Sequence, residues 1–508
     1  MATASHTPTI PGYQVLSEVY AGSRTLVYRA IREHDSLAVV IKLLACSFPN
    51  FNELLQFRNQ YAITKNLNIP GIVHPLLLEP YGNSYVLVME DNGDISLREY
   101  IGTTILSLVD VLVIAIQLTD ILHNLHQNRI IHKDIKPANI LISPETKQVK
   151  LIDFSIASLL PKETQEIKSP NVLEGTLAYI SPEQTGRMNR GIDYRSDFYS
   201  LGITFYELIT GQLPFIANDA MELVHCHIAQ VAVSVSDIKP EVPQVISKII
   251  NKLIAKNAED RYQSTFGLKS DLEYCLYQLK NTGTITDFEI GKRDLCERFL
   301  IPEKLYGREA EVKILLAAFE RVASHTADNS KSEMMLVAGF SGIGKTAVIN
   351  EIHKPITRSH GYFIKGKFDQ FNRNIPLSAF VQALRDLIVQ LLSESDARQS
   401  QWQVKILEAV GNNGQVLIEV VPELERLIGK QPPALELSGT AQQNRFNLLF
   451  LKFIEVFTTP QHPLVIFLDD LQWADSASLQ LIKLLMGGKG YLLLLGAYRD
   501  NEVQAAHP

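Results

Sequence analysis

The chain has 508 residues, of which 46% are hydrophobic and 20% are charged, and its formal net charge is −7. One hydrophobic core does not extend over such a length, so two or three soluble domains are expected. The slightly acidic balance gives no footprint for nucleic acid or an anionic membrane and says nothing more about partners; no nucleic acid is expected as a partner. The four cysteines are widely spaced and include no C-x-x-C pair, which argues against zinc or a disulfide framework and favours a reducing, cytoplasmic location.

The front of the chain is predicted to form a small antiparallel sheet with one helix. Residues 1–12 have neither the basic segment nor the apolar core of a signal peptide, and we interpret them as an N-terminal tail. From residue 13 onward, β-branched runs predict strands, and one helical pattern at about 51–67 interrupts them. The predicted strands cover residues 26–29, 38–43 and 85–89.

Beyond residue 91 the pattern becomes helical. Apolar residues recur every three or four positions between Leu108 and Leu125, which predicts a helix with one buried face. The longest apolar stretch, residues 111–116, is too short to cross a membrane, so no membrane segment is expected. Two short strands and three further helices are predicted at 140–142, 148–152, 197–210, 220–229 and 245–255. A sheet followed by a larger helical lobe predicts a ligand-binding cleft between the two.

The segment IIHKDIKPANILI, residues 130–142, carries the sharpest chemical signal. It places Asp134, Lys136 and Asn139 on one loop between a helix and a strand. Phosphoryl transfer needs a carboxylate to accept the proton of the attacking hydroxyl, a cation beside the transferred phosphate and an oxygen ligand for Mg²⁺. The three residues suit these roles in that order, and Asp153 in the following LIDF suits a further Mg²⁺ contact.

Upstream, Lys42 stands on an apolar strand, where a buried lysine needs an anionic partner such as a nucleotide phosphate. Alone, a D-x-K-P loop is more often an ordinary turn, and Lys42 could face solvent. In this order and spacing, however, the residues resemble the protein-kinase family, whose signature runs glycine-rich loop, strand lysine, H-R-D loop, D-F-G and A-P-E. The resemblance covers residues 13–275 and implies a bilobal α+β kinase fold that binds ATP and Mg²⁺. It makes Asp134 and Lys136 the implied catalytic residues and Asn139 and Asp153 the implied metal ligands.

Further residues on the C-terminal side of this loop match family positions that have structural roles. Glu183 stands in S-P-E at the A-P-E position, and Arg261 matches the arginine that pairs with that glutamate. Asp197 opens the helix that braces the catalytic loop in the family. Thr176, together with Lys136, resembles the serine/threonine rather than the tyrosine branch, so a protein with a Ser or Thr acceptor is the implied substrate.

The sequence also departs from the family pattern. Only Gly22 remains of the glycine-rich loop, with Tyr20 and Thr25 at the other glycine positions, which predicts weaker ATP binding. Gln60 occupies the place of the helix glutamate that pairs with Lys42, and its carbonyl could accept a hydrogen bond instead. Glu53, two helical turns away, is the alternative partner. The implied ATP-binding residues of this domain are Gly22, Val27, Lys42, Gln60, Met89, Glu90 and Asp91.

Two further departures concern regulation. Lys133 replaces the arginine that normally receives an activation-loop phosphate, so control by phosphorylation of that loop is not expected. Ser155 replaces the glycine of D-F-G, which spares the metal ligand Asp153.

A second phosphate-binding pattern follows a polar stretch at 276–304, which we interpret as a linker. LVAGFSGIGKTAVIN places a G-x4-G-K-T loop between an apolar strand and a helix, the context that a P-loop requires. Backbone N–H groups of the loop cradle phosphates, Lys345 reaches the β- and γ-oxygens, and Thr346 binds Mg²⁺. The glycines that shape this loop are Gly339, Gly342 and Gly344.

An apolar run at 464–468 ends in Asp469 and Asp470, the expected second support for Mg²⁺ and for a water molecule. With LYGREAEV at 305–312 and DDLQWAD, the segment resembles signal-transduction ATPases with numerous domains, and Arg499 matches their nucleotide-sensing position. Strands alternating with helices predict a parallel sheet, with inserted helices at 377–392 and 442–457. We expect an α/β P-loop NTPase domain over residues 305–508 that is incomplete at its C-terminal end.

Two functions stay open at this point. In the first, the chain is a serine/threonine protein kinase in bacterial signal transduction, with ATP at two sites and a regulatory NTPase module. In the alternative, the front domain is a pseudokinase-like, nucleotide-responsive scaffold and the ATPase module is the signalling switch. A kinase domain with EQTGRMNR at 183–190, joined to such an ATPase, resembles the front half of large bacterial signalling proteins that continue into a sensor domain and a histidine kinase. In that segment, Arg187 and Arg190 contact a substrate or simply bind surface acids.

Overall fold

The computed structural model describes residues 8–503, apart from residues 23, 47, 50, 66, 160–175, 189, 218, 296–306, 324–331, 341, 353–354, 357–360, 370–375, 393, 395, 436–438 and 489. Most of the predicted N-terminal tail, Cys296 and the first two residues of the predicted ATPase domain lie outside the described residues. So do most of the segment between Asp153 and Thr176 and the last five residues of the chain.

The front domain begins with a five-stranded antiparallel sheet in the order β1-β2-β3-β5-β4. Its strands and the helix α1 that packs on it are β1 Tyr13–Ala21, β2 Thr25–Arg32, β3 Ala38–Leu44, α1 Phe51–Thr64, β4 Pro75–Tyr81 and β5 Ser84–Glu90. Strand alternation puts Ile41 and Leu43 of β3 into the core on one face. Lys42 therefore faces the other side, directly between Val27 and Leu87 in the register.

The second lobe is mainly helical, as the sequence predicts. Its elements are β6 Ile95–Ser96, α2 Leu97–Thr103, α3 Leu108–Gln127, β7 Ile140–Ile142, β8 Val149–Leu151, α4 Arg195–Thr210, α5 Ala220–Ala229, α6 Val235–Ile238, α7 Gln244–Leu253 and α8 Thr265–Thr282. Helix α3 begins with a capping box between Ser107 and Asp110. Helix α4 ends at Gly211, whose φ of 78° is a conformation that glycine adopts without strain.

Among the described helices, α3 has the length and hydropathy of a membrane-spanning helix. Its residues Leu118, Leu122 and Leu125 are at most 1% exposed and belong to the core of the helical lobe. The helix also packs against α4 and α8. Its apolar character is therefore explained by its place at the centre of a protein core.

The short hairpin of β7 and β8 brings two loops together. Ile140 pairs with Leu151, and the backbone N–H of Ile152 donates to the carbonyl of Asn139 at 2.9 Å. A second pair of backbone hydrogen bonds, both 2.9 Å, joins Ile131 to Ser158. These bonds fix the segment that contains Asp153 beside the loop at 132–139.

The first part of the predicted linker has regular structure and contacts with the helical lobe. Helix α8 runs to Thr282, and residues 283–295 return along the helical lobe instead of leaving it. Asp294 anchors this return: its carboxylate accepts the backbone N–H groups of Gln263 and Ser264 at 2.9–3.0 Å and the Ser264 hydroxyl at 3.0 Å. The sequence did not reveal this docking because it depends on single polar contacts and shows no apolar periodicity.

The second domain contains a four-stranded parallel sheet in the order β10-β11-β12-β9. Its described elements are α9 Glu309–Ala323, β9 Glu333–Ala338, α10 Lys345–Asn350, β10 Tyr362–Lys367, α11 Ser378–Leu392, α12 Asp396–Val410, α13 Gly414–Ile418, α14 Glu425–Ile428, α15 Thr440–Glu455, β11 Leu464–Asp469, α16 Ser476–Gly487 and β12 Leu492–Tyr498. Val465 and Phe467 pack with α9 and α10 on one face, while Ile466 and Leu468 join the core of inserted helices on the other. Burial on both faces explains why β11 is an unbroken apolar run.

We predict that Asp294→Ala speeds amide hydrogen exchange in residues 283–295. The substitution removes the acceptor of several hydrogen bonds, which should lower the local opening free energy by about 2 kcal/mol. Asp287→Ala is the matched control, because Asp287 pairs with Lys248 at the surface and both side chains are about half exposed. Equally fast exchange of this segment before and after Asp294→Ala would mean that it is a loose linker.

Candidate functional site

Asp134 is held by three neighbours in the cleft of the front domain. Its Oδ2 accepts from the Lys136 ammonium at 2.7 Å and from the Asn139 amide at 2.8 Å. Its Oδ1 accepts the backbone N–H of Thr176 at 3.1 Å, and the Thr176 hydroxyl also bonds Lys136. The structure thus brings the predicted base, cation and amide together, and it adds Thr176, which the sequence analysis treated only as a mark of the serine/threonine branch.

Lys42 lies opposite this cluster on β3, and it is 7% exposed. Its ammonium donates to Gln60 Oε1 and to Asp153 Oδ1, each at 2.9 Å. Burial alone would raise the pKa of Asp153, but the Lys42 ammonium overcomes this and holds the pKa below its usual range. Asp153 is therefore an ionised carboxylate at neutral pH. Gln60 is a neutral hydrogen-bond acceptor at the position where the kinase family has a glutamate, as the sequence indicated.

Asp197 holds the loop that carries Asp134 in place through hydrogen bonds. This carboxylate is fully buried and accepts the backbone N–H groups of His132 and Lys133 at 3.0 and 2.8 Å, and Nε2 of His126 at 3.0 Å. Burial lowers the pKa of His132, so its ring is neutral. Its Nε2–H donates to the Ile152 carbonyl at 3.0 Å, and Nδ1 accepts the N–H of Asp134 at 3.3 Å.

A second buried ion pair fixes the segment after Thr176. Arg261 is 1% exposed and donates to both carboxylate oxygens of Glu183, at 2.7 and 2.8 Å. Burial would raise the pKa of Glu183, and the Arg261 guanidinium lowers it below its usual range. The next residue, Gln184, donates to the carbonyl of Lys133 at 2.9 Å, so this segment is tied directly to the catalytic loop.

The remaining predicted nucleotide contacts are spread along the sheet edge of the cleft. Val27 pairs with Lys42 across β2 and β3. The Tyr20 ring covers Gly22 so closely that a Cβ on Gly22 would lie 2.4 Å from the Tyr20 hydroxyl. Met89 and Glu90 end β5.

Asp91, the last of the predicted contacts, is already engaged by its own domain. Its carboxylate pairs with Arg29 at 3.1 Å and accepts the backbone N–H of Gly93 at 2.9 Å. The structure therefore gives Asp91 a role in the connection between the lobes that the sequence analysis did not consider.

The residues present fit a magnesium ion. Asp153 supplies an ionised carboxylate, and the Asn139 amide nitrogen is bonded to Asp134, which leaves the amide oxygen as the coordinating atom. Oxygen donors of this kind are the ligands that Mg²⁺ prefers.

The loop of the second domain has the backbone of a phosphate cradle. Gly339, Gly342 and Gly344 have φ values of 152°, 78° and 96°, which glycine adopts readily. Helix α10 begins with Lys345 and Thr346 directly after this loop. The Lys345 ammonium donates to the carbonyls of Gly339 and Phe340 at 2.8 and 3.0 Å, so it lies over the loop.

Strand β11 ends at Asp469, which lies close enough to Lys345 of this loop to interact with it electrostatically, and Asp470 follows directly. Burial raises the pKa of Asp469. Asp470 accepts from Gln472 at 2.9 Å and pairs with Arg499 at 3.2 Å and with Lys367 at 3.3 Å. Gln472 belongs to the DDLQWAD motif and could have been singled out, whereas Lys367 ends β10, a strand that the sequence analysis missed.

A sheet lobe and a helical lobe with these groups in the cleft define a protein kinase, and the parallel sheet with its glycine loop defines a P-loop ATPase. The protein kinase domain family matches residues 13–272, and the AAA ATPase domain family matches residues 304–495. The chain belongs to the protein kinase family, and it carries an AAA ATPase domain behind the kinase domain.

Several characterised proteins are similar to the chain. Hybrid signal transduction histidine kinase G of Dictyostelium discoideum is 36% identical over 461 residues, with 73% of this chain and 13% of that protein covered. The serine/threonine-protein kinase PrkC of Bacillus subtilis is 34% identical over 265 residues, with 51% of this chain and 40% of that protein covered. PknB of Mycobacterium tuberculosis is 32% identical over 272 residues, with 52% and 41% covered. The chain thus spans less than half the length of each of these relatives.

We predict that Gln60→Glu tightens ATP binding at the kinase site about five-fold. A charge-assisted hydrogen bond holds Lys42 more firmly than a neutral one. A glutamate at position 60 would also share the Lys42 ammonium with Asp153, so that Asp153 is more available to a metal ion. Gln60→Ala should weaken binding by about ten-fold, because it leaves a buried ammonium with one acceptor fewer. Binding is measured by calorimetry in a chain that also carries Lys345→Ala, so that the kinase site alone is titrated.

Glu53→Gln is the control for these two variants. Glu53 is the alternative partner for Lys42 on α1, and Lys42 donates a hydrogen bond to Gln60 instead. If Gln60→Glu and Gln60→Ala bind ATP as tightly as the parent chain, Gln60 has no part in holding the nucleotide.

Proposed function

We propose that the kinase domain is catalytically active and transfers the γ-phosphate of ATP to serine or threonine hydroxyls of protein substrates in signal transduction. The second domain acts as an ATP-binding regulatory NTPase of the same chain. The observation that supports the kinase proposal best is the cluster of Asp134, Lys136, Asn139 and Thr176, with the Lys42–Asp153 pair opposite. A cytoplasmic location belongs to this proposal, and the free thiols of Cys46, Cys226 and Cys275 are compatible with it.

Each group has a chemical part. Asp134 accepts the proton of the attacking hydroxyl, whose oxygen bonds the γ-phosphorus as the bond from that phosphorus to the β-bridging oxygen breaks. Lys136 lies within 2.7 Å of Asp134 and balances the negative charge that develops on the transferred group. Lys42 holds the phosphates from the sheet side.

Asn139 and Asp153 would hold Mg²⁺, which when bound neutralises phosphate charge and orients the oxygens for in-line transfer. The residues of the chain prepare this arrangement before any ligand arrives. The hairpin bond between Ile152 and Asn139 fixes the distance between the two ligands, and Lys42 keeps Asp153 ionised.

In the ATPase domain, Lys345 would exchange its two loop carbonyls for phosphate oxygens, and Thr346 would support the metal. Arg499 already pairs with Asp470 and with Glu502, so it can respond to a nucleotide only by changing partners. This favours slow hydrolysis and a conformational switch over rapid turnover.

The scaffold function is the second candidate, and two observations favour it. Gln60 contributes no charge to the Lys42 cluster, and Tyr20 lies against the single glycine of the loop that would cover the phosphates. In that case ATP would bind without being consumed by the kinase domain.

The decisive variant for the kinase proposal is Asp134→Asn. Loss of a general base should reduce transfer of label from γ-labelled ATP to a basic protein substrate by about 10²- to 10⁴-fold, with ATP affinity nearly unchanged. Asp120→Asn is the control, because Asp120 is a half-exposed partner of Lys269 remote from the cleft. Equal label incorporation in the parent and Asp134→Asn chains, or none in either with ATP still bound, would contradict the kinase proposal.

A separate variant tests the second nucleotide site. Lys345→Ala removes the cation of the phosphate loop, so the stoichiometry of ATP binding in calorimetry should fall from two per chain to one. Label transfer by the kinase domain should persist in this variant. If Lys345→Ala chains still bind two ATP molecules with the parent affinities, the ATPase domain does not use this loop.

A further inference from the structure

The segment at 184–190 follows the Glu183–Arg261 ion pair, and its described residues, 184–188 and 190, are firmly attached to the kinase domain. Met188 is 5% exposed and packs with Ile180 and with Val224 and Ile228 of α5. Gln184 is bonded to the backbone of Lys133, one residue before the catalytic Asp134. The position of this segment is therefore linked to the position of the catalytic loop.

One arginine of this segment contacts an acidic group of the ATPase domain. Arg190 bridges the domains: one nitrogen donates to Glu259 of the kinase domain at 2.7 Å, and the other lies 3.5 Å from Glu351 of the ATPase domain. The Arg190 side chain is 12% exposed and that of Glu351 is 25% exposed. The contact is partly shielded from water, so the attraction is stronger than at an open surface.

Arg187 contacts Met221 Sδ of α5 at 3.5 Å and is also influenced electrostatically by the ATPase domain. Burial lowers the pKa of Arg187, while Glu394 and Tyr362 of the ATPase domain act in the opposite direction. Glu394 is itself 7% exposed and accepts from the Tyr362 hydroxyl at 2.5 Å and from the Trp402 indole at 3.0 Å. Arg190 is thus paired with an acidic side chain of the other domain, and Arg187 lies within the electrostatic influence of Glu394.

The acidic residue that meets Arg190 is directly connected to the phosphate loop. Glu351 follows the last residue of α10, the helix that begins with Lys345 and Thr346. Six residues of helix span about 9 Å. Ile349 and Ile352, on either side of Glu351, are fully buried, so this end of the helix cannot move without the core behind it.

We propose that residues 184–188 and Arg190 form a docking surface of the kinase domain for the ATPase domain of the same chain, with Arg190 meeting Glu351. The surface lies between the two nucleotide centres and adjoins the catalytic loop on one side and the P-loop helix on the other. A change in the position of α10 is then transmitted through Gln184 to the catalytic loop. This consequence for kinase activity rests on the proposed function, whereas the docking does not.

Hydrogen exchange of the full chain, read by mass spectrometry, tests the docking in both directions. Glu351→Arg places a cation against Arg190, and amides of residues 184–190 should exchange about two- to five-fold faster, the range expected for loss of a partly exposed ion pair. Arg190→Gln should speed exchange in residues 345–352 by a similar factor. Each effect is read in the domain that was not changed and is remote in sequence.

Glu333→Arg is the matched control: it reverses an acidic residue of the same domain, which pairs there with Arg321. It should leave residues 184–190 unchanged. Both tryptophans, Trp402 and Trp473, lie in the ATPase domain, so their fluorescence shows whether Glu351→Arg is still folded. If the faster hydrogen exchange stays within the mutated domain in a folded Glu351→Arg chain, and likewise in Arg190→Gln, the proposal is overturned. This outcome does not depend on whether the kinase is active.

Discussion

The buried Asp197 carboxylate is the constraint on which the catalytic loop depends. Lys133 has a φ of 69°, in the left-handed region that costs a non-glycine residue about 1–3 kcal/mol and persists only where neighbours enforce it. The hydrogen bonds from the N–H groups of His132 and Lys133 to Asp197 enforce it, because each donor would otherwise be buried without an acceptor. The chain turns sharply at Lys133 as a result, and Asp134 is directed toward Lys136 and Asn139.

The net charge around Lys42 differs between this cleft and the usual kinase arrangement, which has a glutamate at the position of Gln60. With a glutamate at position 60, the Lys42 cluster would carry one net negative charge before metal and nucleotide bind. With Gln60 the cluster of Lys42 and Asp153 is neutral, because the two charges cancel and the amide adds none. A neutral cluster attracts a divalent cation less strongly, while Lys42 still has two acceptors and so carries little cost of burial. The substitution thus lowers ligand attraction without destabilising the domain.

The sequence predicted those parts of the structure in which chemistry and periodicity coincide. Helix α5, the hairpin strands β7 and β8 and the apolar strand β11 were predicted to within a few residues, and Asp134, Lys136, Asn139, Lys42 and Asp153 do converge. What it missed depends on single long-range contacts: residues 283–295 are held by Asp294, and Asp91 is held by Arg29. Strand β10 was missed because its YFIKGK sequence carries two lysines and a glycine, which obscure an apolar run, although four of its six residues are buried. The domain boundaries themselves stay predictions.

The lysines of the two nucleotide sites have different hydrogen-bond acceptors, and this difference decides how much a bound nucleotide changes each site. Lys42 is bonded to side chains that a bound nucleotide would keep in place, so the kinase cleft is organised in advance. Lys345 is bonded to the carbonyls of its own loop, and a phosphate must replace them. A ligand shifts a conformational equilibrium only by its differential affinity for the two states. Here that difference is the exchange of two backbone carbonyls for phosphate oxygens at the start of α10. Because α10 is short and its apolar side is buried, the response passes to its other end, where Glu351 meets Arg190.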